Sequence, residues 1–320
     1  MKKVLIAFLF VTALLLAACG NAEDSSGSDE ASASESDAQE TSNEEEEASS
    51  SETFTYESEE GPIELPSNPQ RIVALSYAPN VLALGGNVVG VDEWTFNNPI
   101  MADKLEGIEA VTEESLEKII ELEPDLIIVG SWLKNIDKLK EIAPTVSFTY
   151  GKLSYLEQHE EIGKVLNKEQ EAKDWVEDFK ARATETGEEI KAKIGEDATV
   201  SVLENDVKQM AVFGDNWGRG TELLYQEMEL NMPEKVKEKA LADGYYSLSL
   251  EVISDFAGDY IVLSKNPDGD TAFLETETWK NIPAVQNGNV LELNTHVIAD
   301  SDPITLEYLL EQFSTFFLGE

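Results

Sequence analysis

The chain is poor in the residues from which many functional sites are built. Its 320 residues include one cysteine, two histidines and only three arginines. A single cysteine excludes an intrachain disulfide framework, and two imidazoles cannot form a zinc- or manganese-type site that needs several histidines. Basic residues are also scarce, because 23 lysines and arginines stand against 64 acidic residues and the net charge is −41. This balance excludes a partner with a phosphate backbone, so we expect no nucleic-acid binding.

Motifs of common enzyme classes are missing as well. The sequence has no Gly-x-Ser-x-Gly elbow and no phosphate-binding P-loop, and the glycines of residues 85–90 lack the spacing of a dinucleotide fingerprint. Acidic side chains are so frequent that two neighbouring carboxylates say little about catalysis. The sequence therefore predicts a protein that is not an enzyme and that needs neither a cofactor nor a metal ion bound by its own side chains.

The first 18 residues predict a secretory signal peptide. Two lysines precede the apolar residues 4–16, small residues follow, and the run is too short to span a bilayer. Residues 16–20 read Leu-Ala-Ala-Cys-Gly and resemble the bacterial lipobox, in which the cysteine is lipidated and becomes the new N-terminus. We therefore expect Cys19 to carry a lipid that anchors the protein at the extracytoplasmic face of the cell membrane.

A strongly acidic segment follows the lipidation motif. Between residues 22 and 60 there are 15 acidic residues and no basic ones, and serine is frequent. Such a composition buries little apolar surface and repels itself, so residues 19–60 are predicted to form a disordered linker behind the lipid anchor. The rest of the chain, residues 61–320, still carries 49 acidic and 21 basic residues. This excess suggests a surface suited to a salty or alkaline medium.

Strands alternate with helices on both sides of the middle of the chain, which predicts an α/β protein with two Rossmann-like lobes. Residues 61–166 are assigned to the N-terminal lobe and residues 196–320 to the C-terminal lobe. Predicted strands are residues 71–75, 88–91, 125–129 and 146–148 in the first lobe, and 199–203, 210–213, 260–263 and 290–293 in the second. The continuous apolar runs after Asp125 and Asp259 are typical of parallel strands that are covered on both faces, and we expect them to be equivalent.

Residues 167–195 predict one long helix between the two lobes. Apolar residues recur there at intervals of three and four, which gathers them into one stripe, and the other positions are mostly charged. The stripe consists of Ala172, Trp175, Val176, Phe179, Ala183, Ile190 and Ile194. Gly187 is the weak point, since glycine costs about 1 kcal/mol relative to alanine in a helix interior. A surface helix of one larger domain is the alternative.

The candidate binding residues lie in predicted loops after strands, because ligands of α/β lobes bind beyond the carboxyl ends of the strands. Residues 213–220 hold three glycines around Trp217 and Arg219, and we expect both large side chains to be free to contact a ligand. Burial of Trp217 within the lobe is the alternative. Aromatic residues stand at loops of the other lobe, namely Tyr77, Trp94, Trp132, Tyr150 and Tyr155. His159 is expected in an exposed acidic helix and His296 at the rim of the cleft.

Taken together, these features resemble the iron-siderophore substrate-binding lipoproteins of ABC importers. The resemblance rests on the lipobox, the acidic linker, residues 68–74, 122–129 and 279–285, and the long helix, and it covers residues 61–320. Residues 150–158 and 214–219 are similar to the ferric-hydroxamate branch. The resemblance to this family implies a helical-backbone periplasmic-binding-protein-like fold and an iron(III)-hydroxamate ligand. It also implies an ABC permease as partner and a monomer that is attached to the membrane only through its lipid.

The same resemblance implies roles for particular residues. Trp217 and Arg219 would contact the hydroxamate-wrapped iron, Tyr150 would lie opposite, and Glu117 and Glu251 would dock on the permease. Ala211 and residues 296–300 depart from the pattern of ferrioxamine-type binders, which leaves a smaller chelate such as a citrate-hydroxamate open. Burying the three negative charges of a tris-catecholate complex beside one arginine would be costly, which favours a neutral or weakly anionic complex. A catecholate, haem or corrinoid binder and a surface-anchored enzyme remain the alternatives.

Overall fold

The computed structural model describes residues 52–205 and 209–319. The predicted signal peptide, Cys19 and most of the predicted linker lie outside these residues. No helix within the described part of the chain is both long and apolar enough to cross a membrane.

The N-terminal lobe is built on a sheet of five parallel strands in the order β5-β4-β3-β6-β7. These strands are β3 (Ile72–Ala74), β4 (Val88–Val91), β5 (Glu109–Ala110), β6 (Leu126–Gly130) and β7 (Thr145–Phe148). The helices between and after them are α1 (Ala78–Ala83), α2 (Glu93–Phe96), the 3-10 helix Pro99–Leu105, α3 (Leu116–Glu121), α4 (Ile136–Leu139) and α5 (Tyr155–Val165). A helix lies between each strand of this sheet and the next one in the sequence, which provides the crossover connection that parallel strands need.

The apolar runs form central strands because both faces of the sheet are covered. All five residues of β6 are buried, and alternate side chains point to opposite faces. Leu126 and Ile128 join one apolar cluster, whereas Ile127 and Val129 join another. The parallel strand predicted from this sequence is thus confirmed, with one core on each side of it.

A hairpin precedes this sheet, which corrects the predicted extent of the linker. Strands β1 (Thr53–Ser58) and β2 (Gly61–Pro66) pair in antiparallel fashion. Tyr56 and Leu65 are buried against the first core, and the Tyr56 hydroxyl donates to the Glu161 carboxylate at 2.7 Å. Strand structure therefore begins at Thr53, before the predicted start of the lobe at residue 61. The prediction missed it because it relied on the acidic composition up to residue 60 and overlooked the alternation of aromatic and polar residues at positions 54–56.

Helix α6 (Glu169–Ile194) connects the two sheets as one uninterrupted helix of 26 residues, as predicted. Five of the seven residues of its stripe are buried, Trp175 and Ile194 are half-buried, and the two ends of the helix contact different cores. Ala172 packs in the N-terminal core, whereas Val176, Phe179, Ala183 and Ile190 pack in the main C-terminal core. The helix therefore belongs mainly to the C-terminal lobe.

The C-terminal lobe has a five-stranded mixed sheet in the order β10-β9-β8-β11-β12. Its strands are β8 (Val200–Asn205), β9 (Met210–Phe213), β10 (Tyr245–Leu248), β11 (Tyr260–Lys265) and β12 (Val290–Asn294). Its helices are the π-helix Leu223–Glu227, α7 (Glu234–Ala240), the 3-10 helices Leu250–Asp255 and Ala272–Glu275, α8 (Glu277–Lys280), α9 (Pro283–Gln286), α10 (Thr295–Ile298) and α11 (Pro303–Leu318). Strands β8, β11 and β12 are parallel, whereas β9 is antiparallel to both β8 and β10.

The expected equivalence of the two lobes holds in the parallel part of each sheet. Strands β6 and β11 are each the fourth strand in the order of their sheet. The aspartate before each of them accepts hydrogen bonds from the backbone just before the neighbouring parallel strand, which is β3 in the first sheet and β8 in the second. Asp125 accepts the N–H groups of Gln70 and Arg71, and Asp259 accepts the N–H of Thr199. The equivalence ends at the antiparallel strands β9 and β10, of which β10 has no counterpart among the predicted strands.

His159 is buried, so its predicted exposure is wrong. It lies on α5, where its ring packs edge-to-face on Trp175 with centroids 5.0 Å apart and its Nδ1 lies 3.4 Å from the Asn80 amide. Burial lowers the pKa of His159 from 6.5 to about 4, so the ring is neutral at neutral pH.

Candidate functional site

Residues that follow strands of the two sheets come into contact, and we call the region between the carboxyl ends of the two sheets the cleft. Trp94 follows β4, and its indole Nε1 donates a hydrogen bond to the carboxylate of Asp300, which follows β12, at 2.7 Å. The Trp94 ring also packs edge-to-face on His296 with centroids 5.4 Å apart. These contacts bring Trp94 of the N-terminal lobe together with His296 and Asp300 of the C-terminal lobe, and the position of His296 at the rim of a binding cleft stays a prediction.

Aromatic side chains line the N-terminal side of the cleft. Tyr77 follows β3, Trp132 follows β6 and Tyr150 follows β7, and we call these three residues the N-terminal wall. The Trp132 ring lies edge-to-face between the other two, with centroid distances of 6.1 Å to each. Tyr77 also rests on buried Phe148 at 5.6 Å. Three of the loop aromatics named in the sequence analysis therefore lie together at the strand ends, and their role in binding stays a prediction.

The N-terminal wall combines exposed ring surface with neutral polar groups. Trp132 is 53% exposed and Tyr150 is 69% exposed, which is unusual for side chains of their size. Burial raises the pKa of Tyr77 to about 12, so its hydroxyl remains protonated. Such a wall offers apolar contact and hydrogen bonds without charge.

The C-terminal side carries Trp217, Arg219 and Tyr245, which we call the C-terminal wall. The Trp217 ring is 40% exposed and lies 5.0 Å from the Tyr245 ring. Gly244 is required beside it, because a Cβ there would lie 2.0 Å from the indole. Gly218 has φ +67°, and a Cβ there would lie 1.9 Å from the carbonyl oxygen of Ala299. The glycines therefore let the loop turn tightly, and residues 218 and 219 lie close to the end of α10, where the Arg219 N–H donates to the carbonyl oxygen of Ile298.

Arg219 is not free, which corrects its expected state. Its guanidinium makes two hydrogen bonds to the Glu204 carboxylate, from Nε at 2.9 Å and from Nη2 at 3.3 Å. Nη1 donates to the carbonyl oxygens of Trp217 and Ala299, and the group lies over the Phe213 ring at 4.8 Å. An acidic protein supplies a partner for a scarce arginine, and the sequence did not identify which acid would do so.

Tyr155 is separate from these walls. Its hydroxyl donates to the Glu227 carboxylate of the C-terminal lobe at 2.8 Å, and its ring packs against the main C-terminal core. Burial and this carboxylate raise the pKa of Tyr155. Its contacts therefore join the two lobes, and within the described residues it makes no ring contact with the other predicted aromatics.

Glu117 and Glu251 lie on the outer surface. Glu117 is exposed in the first turn of α3, beside Ile120, whose side chain is 55% exposed. Glu251 is exposed in a 3-10 helix between Leu250 and Val252, two further exposed apolar residues. One exposed carboxylate with apolar neighbours thus occurs on each lobe.

Sequence reasoning missed three residues of the cleft. Tyr245 faces the site because β10 pairs with β9, which sets Tyr245 opposite Phe213, and a pairing between distant segments is not visible in either one. Asp300 is fixed by Trp94 from the other lobe. Glu204 had a usable signal, since it is an acid at the carboxyl end of an otherwise mostly apolar buried strand. Within the described residues, no group of three or more His, Cys, Asp or Glu side chains lies where it could hold a metal ion.

Comparisons with known proteins agree with this geometry. A family model described as periplasmic binding protein matches residues 72–296. The iron(3+)-hydroxamate-binding protein FhuD of Bacillus subtilis is 38% identical, over 95% of this chain and 94% of its own length. A solved periplasmic binding protein component of a Fep/Fec-like ferrichrome ABC transporter, also from Bacillus subtilis, has a TM-score of 0.76 at 37% identity, covering 82% of this chain and 99% of its own. FhuD2 from Staphylococcus aureus with bound ferrioxamine B has a TM-score of 0.71 at 35% identity, covering 77% and 98%.

Proposed function

The chain belongs to the periplasmic binding protein family, and we propose that it captures a ferric siderophore and delivers it to an ABC permease for iron uptake. The observation that carries this proposal is a relative named as an iron(3+)-hydroxamate-binding protein, which is similar along 95% of the chain. The cleft between two aromatic walls supports it. The siderophore is hydroxamate-containing, and the protein acts as a binding protein without catalysis.

In this proposal the two walls contact different parts of the chelate. The rings of Tyr77, Trp132 and Tyr150 are suited to the aliphatic spacers of a hydroxamate siderophore, with Trp94 and His296 closing the rim. Trp217 and Arg219 lie opposite and approach the iron-bound oxygens. Iron arrives already chelated, with no protein atom bonded to it. Tyr155 acts through its contact between the lobes and does not touch the ligand.

Delivery requires a surface on each lobe for the permease. We assign this role to Glu117 and Glu251, since an exposed carboxylate flanked by apolar side chains can pair with a basic partner while burying apolar area. Lipidation at Cys19 would hold the protein at the extracytoplasmic face of the membrane as a monomer. Names of relatives that include the word lipoprotein support this anchor.

Intrinsic fluorescence tests the proposal, because three of the five tryptophans lie at the cleft and two lie in the interior. We expect a ferric trihydroxamate to quench the emission with saturation, and Trp217→Phe to remove a large part of the quenching. Trp279→Phe is the matched control, since Trp279 is buried against Phe273. Its quenching should match that of the wild type.

The titration is repeated with a ferric tris-catecholate, ferric citrate, haem and a corrinoid. If one of these compounds quenches the emission with saturation and the trihydroxamate does not, the ligand is that compound and not a hydroxamate. Recovery of an altered chelate after incubation would instead support the surface-anchored enzyme.

A further inference from the structure

Glu204 is the acid that binds Arg219 of the C-terminal wall. It lies near the carboxyl end of β8, is 8% exposed and accepts hydrogen bonds from Arg219 and from the Ser264 hydroxyl, the latter at 2.7 Å. Ser264 is fully buried and in turn contacts the Thr295 hydroxyl at 2.8 Å. Three elements of the sheet edge, namely β8, β11 and the start of α10, therefore fix this one carboxylate.

The position of Glu204 determines what Arg219 can offer to a ligand. A guanidinium has five N–H groups, and here Nε, one hydrogen of Nη2 and both hydrogens of Nη1 are directed at protein oxygens. One Nη2 hydrogen remains that is not directed at an acceptor among the described residues. Arg219 can thus donate one hydrogen bond to a bound chelate, but it cannot grip a carboxylate with two.

Glu204 also determines the charge that a ligand meets. A carboxylate paired in this way cancels the charge of the guanidinium at close range, and Asp300 adds a second acid near the same group. Glu222, which follows this loop, accepts hydrogen bonds from the Gly218 N–H and the Thr221 hydroxyl instead. The C-terminal wall therefore presents a hydrogen-bond donor without net positive charge.

We propose that Glu204 is a positioning residue that orients Arg219 and makes the cleft select ferric complexes without negative charge at their iron-binding groups. The inference rests on the proposed function and deepens it, because it assigns the choice of chelate to a buried acid outside the ligand contacts. Glu204 and Asp300 would repel an anionic complex, because the positive charge of Arg219 is already paired with Glu204.

Two chelates test the inference, a ferric trihydroxamate with a neutral iron centre and the ferric complex of a citrate-bis-hydroxamate with an anionic one. For each protein the ratio of the two dissociation constants is measured, so that differences in ligand shape cancel when proteins are compared. We expect Glu204→Gln to shift this ratio about tenfold or more towards the anionic complex, because the negative charge that offsets Arg219 is removed. The amide oxygen can still accept from Arg219 Nε and from Ser264, whereas the amide NH2 group cannot accept the Nη2 hydrogen bond. The wild-type ratio in Glu204→Gln would overturn the inference.

Three further variants separate charge from folding. Glu204→Asp keeps the charge, so it should weaken both chelates and leave their ratio unchanged. Glu292→Gln removes one acid of the same lobe from the ion pair with Lys265 and should change neither binding nor ratio. Arg219→Gln should shift the ratio about tenfold the other way, which tests the inference even if Glu204→Gln does not fold. A shifted ratio in Glu292→Gln, or an unshifted one in Arg219→Gln, would contradict it.

The same data separate this inference from the proposed function. Failure of the wild-type protein to bind the trihydroxamate would overturn the proposed function and this inference together. If the wild type binds the trihydroxamate, and if Glu204→Gln and Arg219→Gln both show the wild-type ratio of dissociation constants, only the role of Glu204 is overturned.

Discussion

The two walls of the cleft are made in different ways. In the N-terminal wall Trp132 packs edge-to-face against both Tyr77 and Tyr150, and two of the three rings are more than half exposed. In the C-terminal wall Arg219 is fixed by a buried acid, two carbonyl oxygens and an aromatic face. The first wall therefore consists of exposed ring surface, whereas the guanidinium of the second wall is held by the protein's own acceptors. In the proposed function, apolar contact and selection by charge are assigned to different lobes.

The same asymmetry extends to the long helix. Only the first turns of α6 pack in the N-terminal core, while Val176 to Ile190 pack in the C-terminal core beside α11. Gly187 is in direct contact with the backbone of Met228, at the end of the π-helix. The C-terminal lobe therefore depends on α6 for its core, and the N-terminal lobe depends on it much less.

The largest expected effect follows from this dependence. Helix propensity alone predicts that Gly187→Ala stabilises the protein by about 1 kcal/mol. The added Cβ would lie 2.3 Å from the carbonyl oxygen of Met228, and a backbone atom cannot rotate away. We therefore expect a net loss of about 3 kcal/mol in the free energy of unfolding, measured by urea denaturation.

Glu188→Ala is the control for this substitution, because Glu188 is exposed on the same helix and its replacement should change stability by less than about 0.5 kcal/mol. If Gly187→Ala were as stable as the wild type, close contact with Met228 would not be required.

Local features of this fold could be predicted from the sequence, and non-local ones could not. Helix α6 was predicted because its stripe repeats within the segment itself, and β6 because its five residues are all apolar or small. The positions of Tyr77, Trp132 and Tyr150 in loops after strands were predicted from the sequence pattern, whereas the contacts among their rings were not. In contrast, burial of His159 needs Trp175 and Asn80, and the pairing of Arg219 needs one acid among 64.

The next effect compares the lobes through their buried titratable groups, starting with His159 beside the N-terminal core. Its pKa is about 4 in the folded protein and near 6.5 when exposed, so the unfolded chain binds more protons between these values. Stability is therefore present above pH 6.5 and is lost as the pH falls. At pH 5 the loss relative to pH 7.5 amounts to about 2 kcal/mol from this group.

His159→Gln should lack this contribution while keeping a polar contact with Asn80. We expect the variant to lose about 2 kcal/mol less than the wild type between pH 7.5 and pH 5, in urea denaturation at both values. Equal losses in both proteins would mean that His159 is protonated in the folded state.

The smallest effect has the opposite sign and belongs to the C-terminal lobe. Asp302 caps α11 by accepting the N–H groups of Ile304 and Thr305 at 3.0 Å, yet burial raises its pKa from 3.8 to about 6. Here the folded protein binds more protons between pH 4 and pH 6, so acidification stabilises it, by about 1 kcal/mol at pH 5. Asp302→Asn keeps the cap acceptor and should lose this gain, so its stability should fall more steeply than that of the wild type between pH 7.5 and pH 5. A parallel pH profile would place the Asp302 pKa at its ordinary value and leave His159 as the dominant acid-sensitive group of the pair.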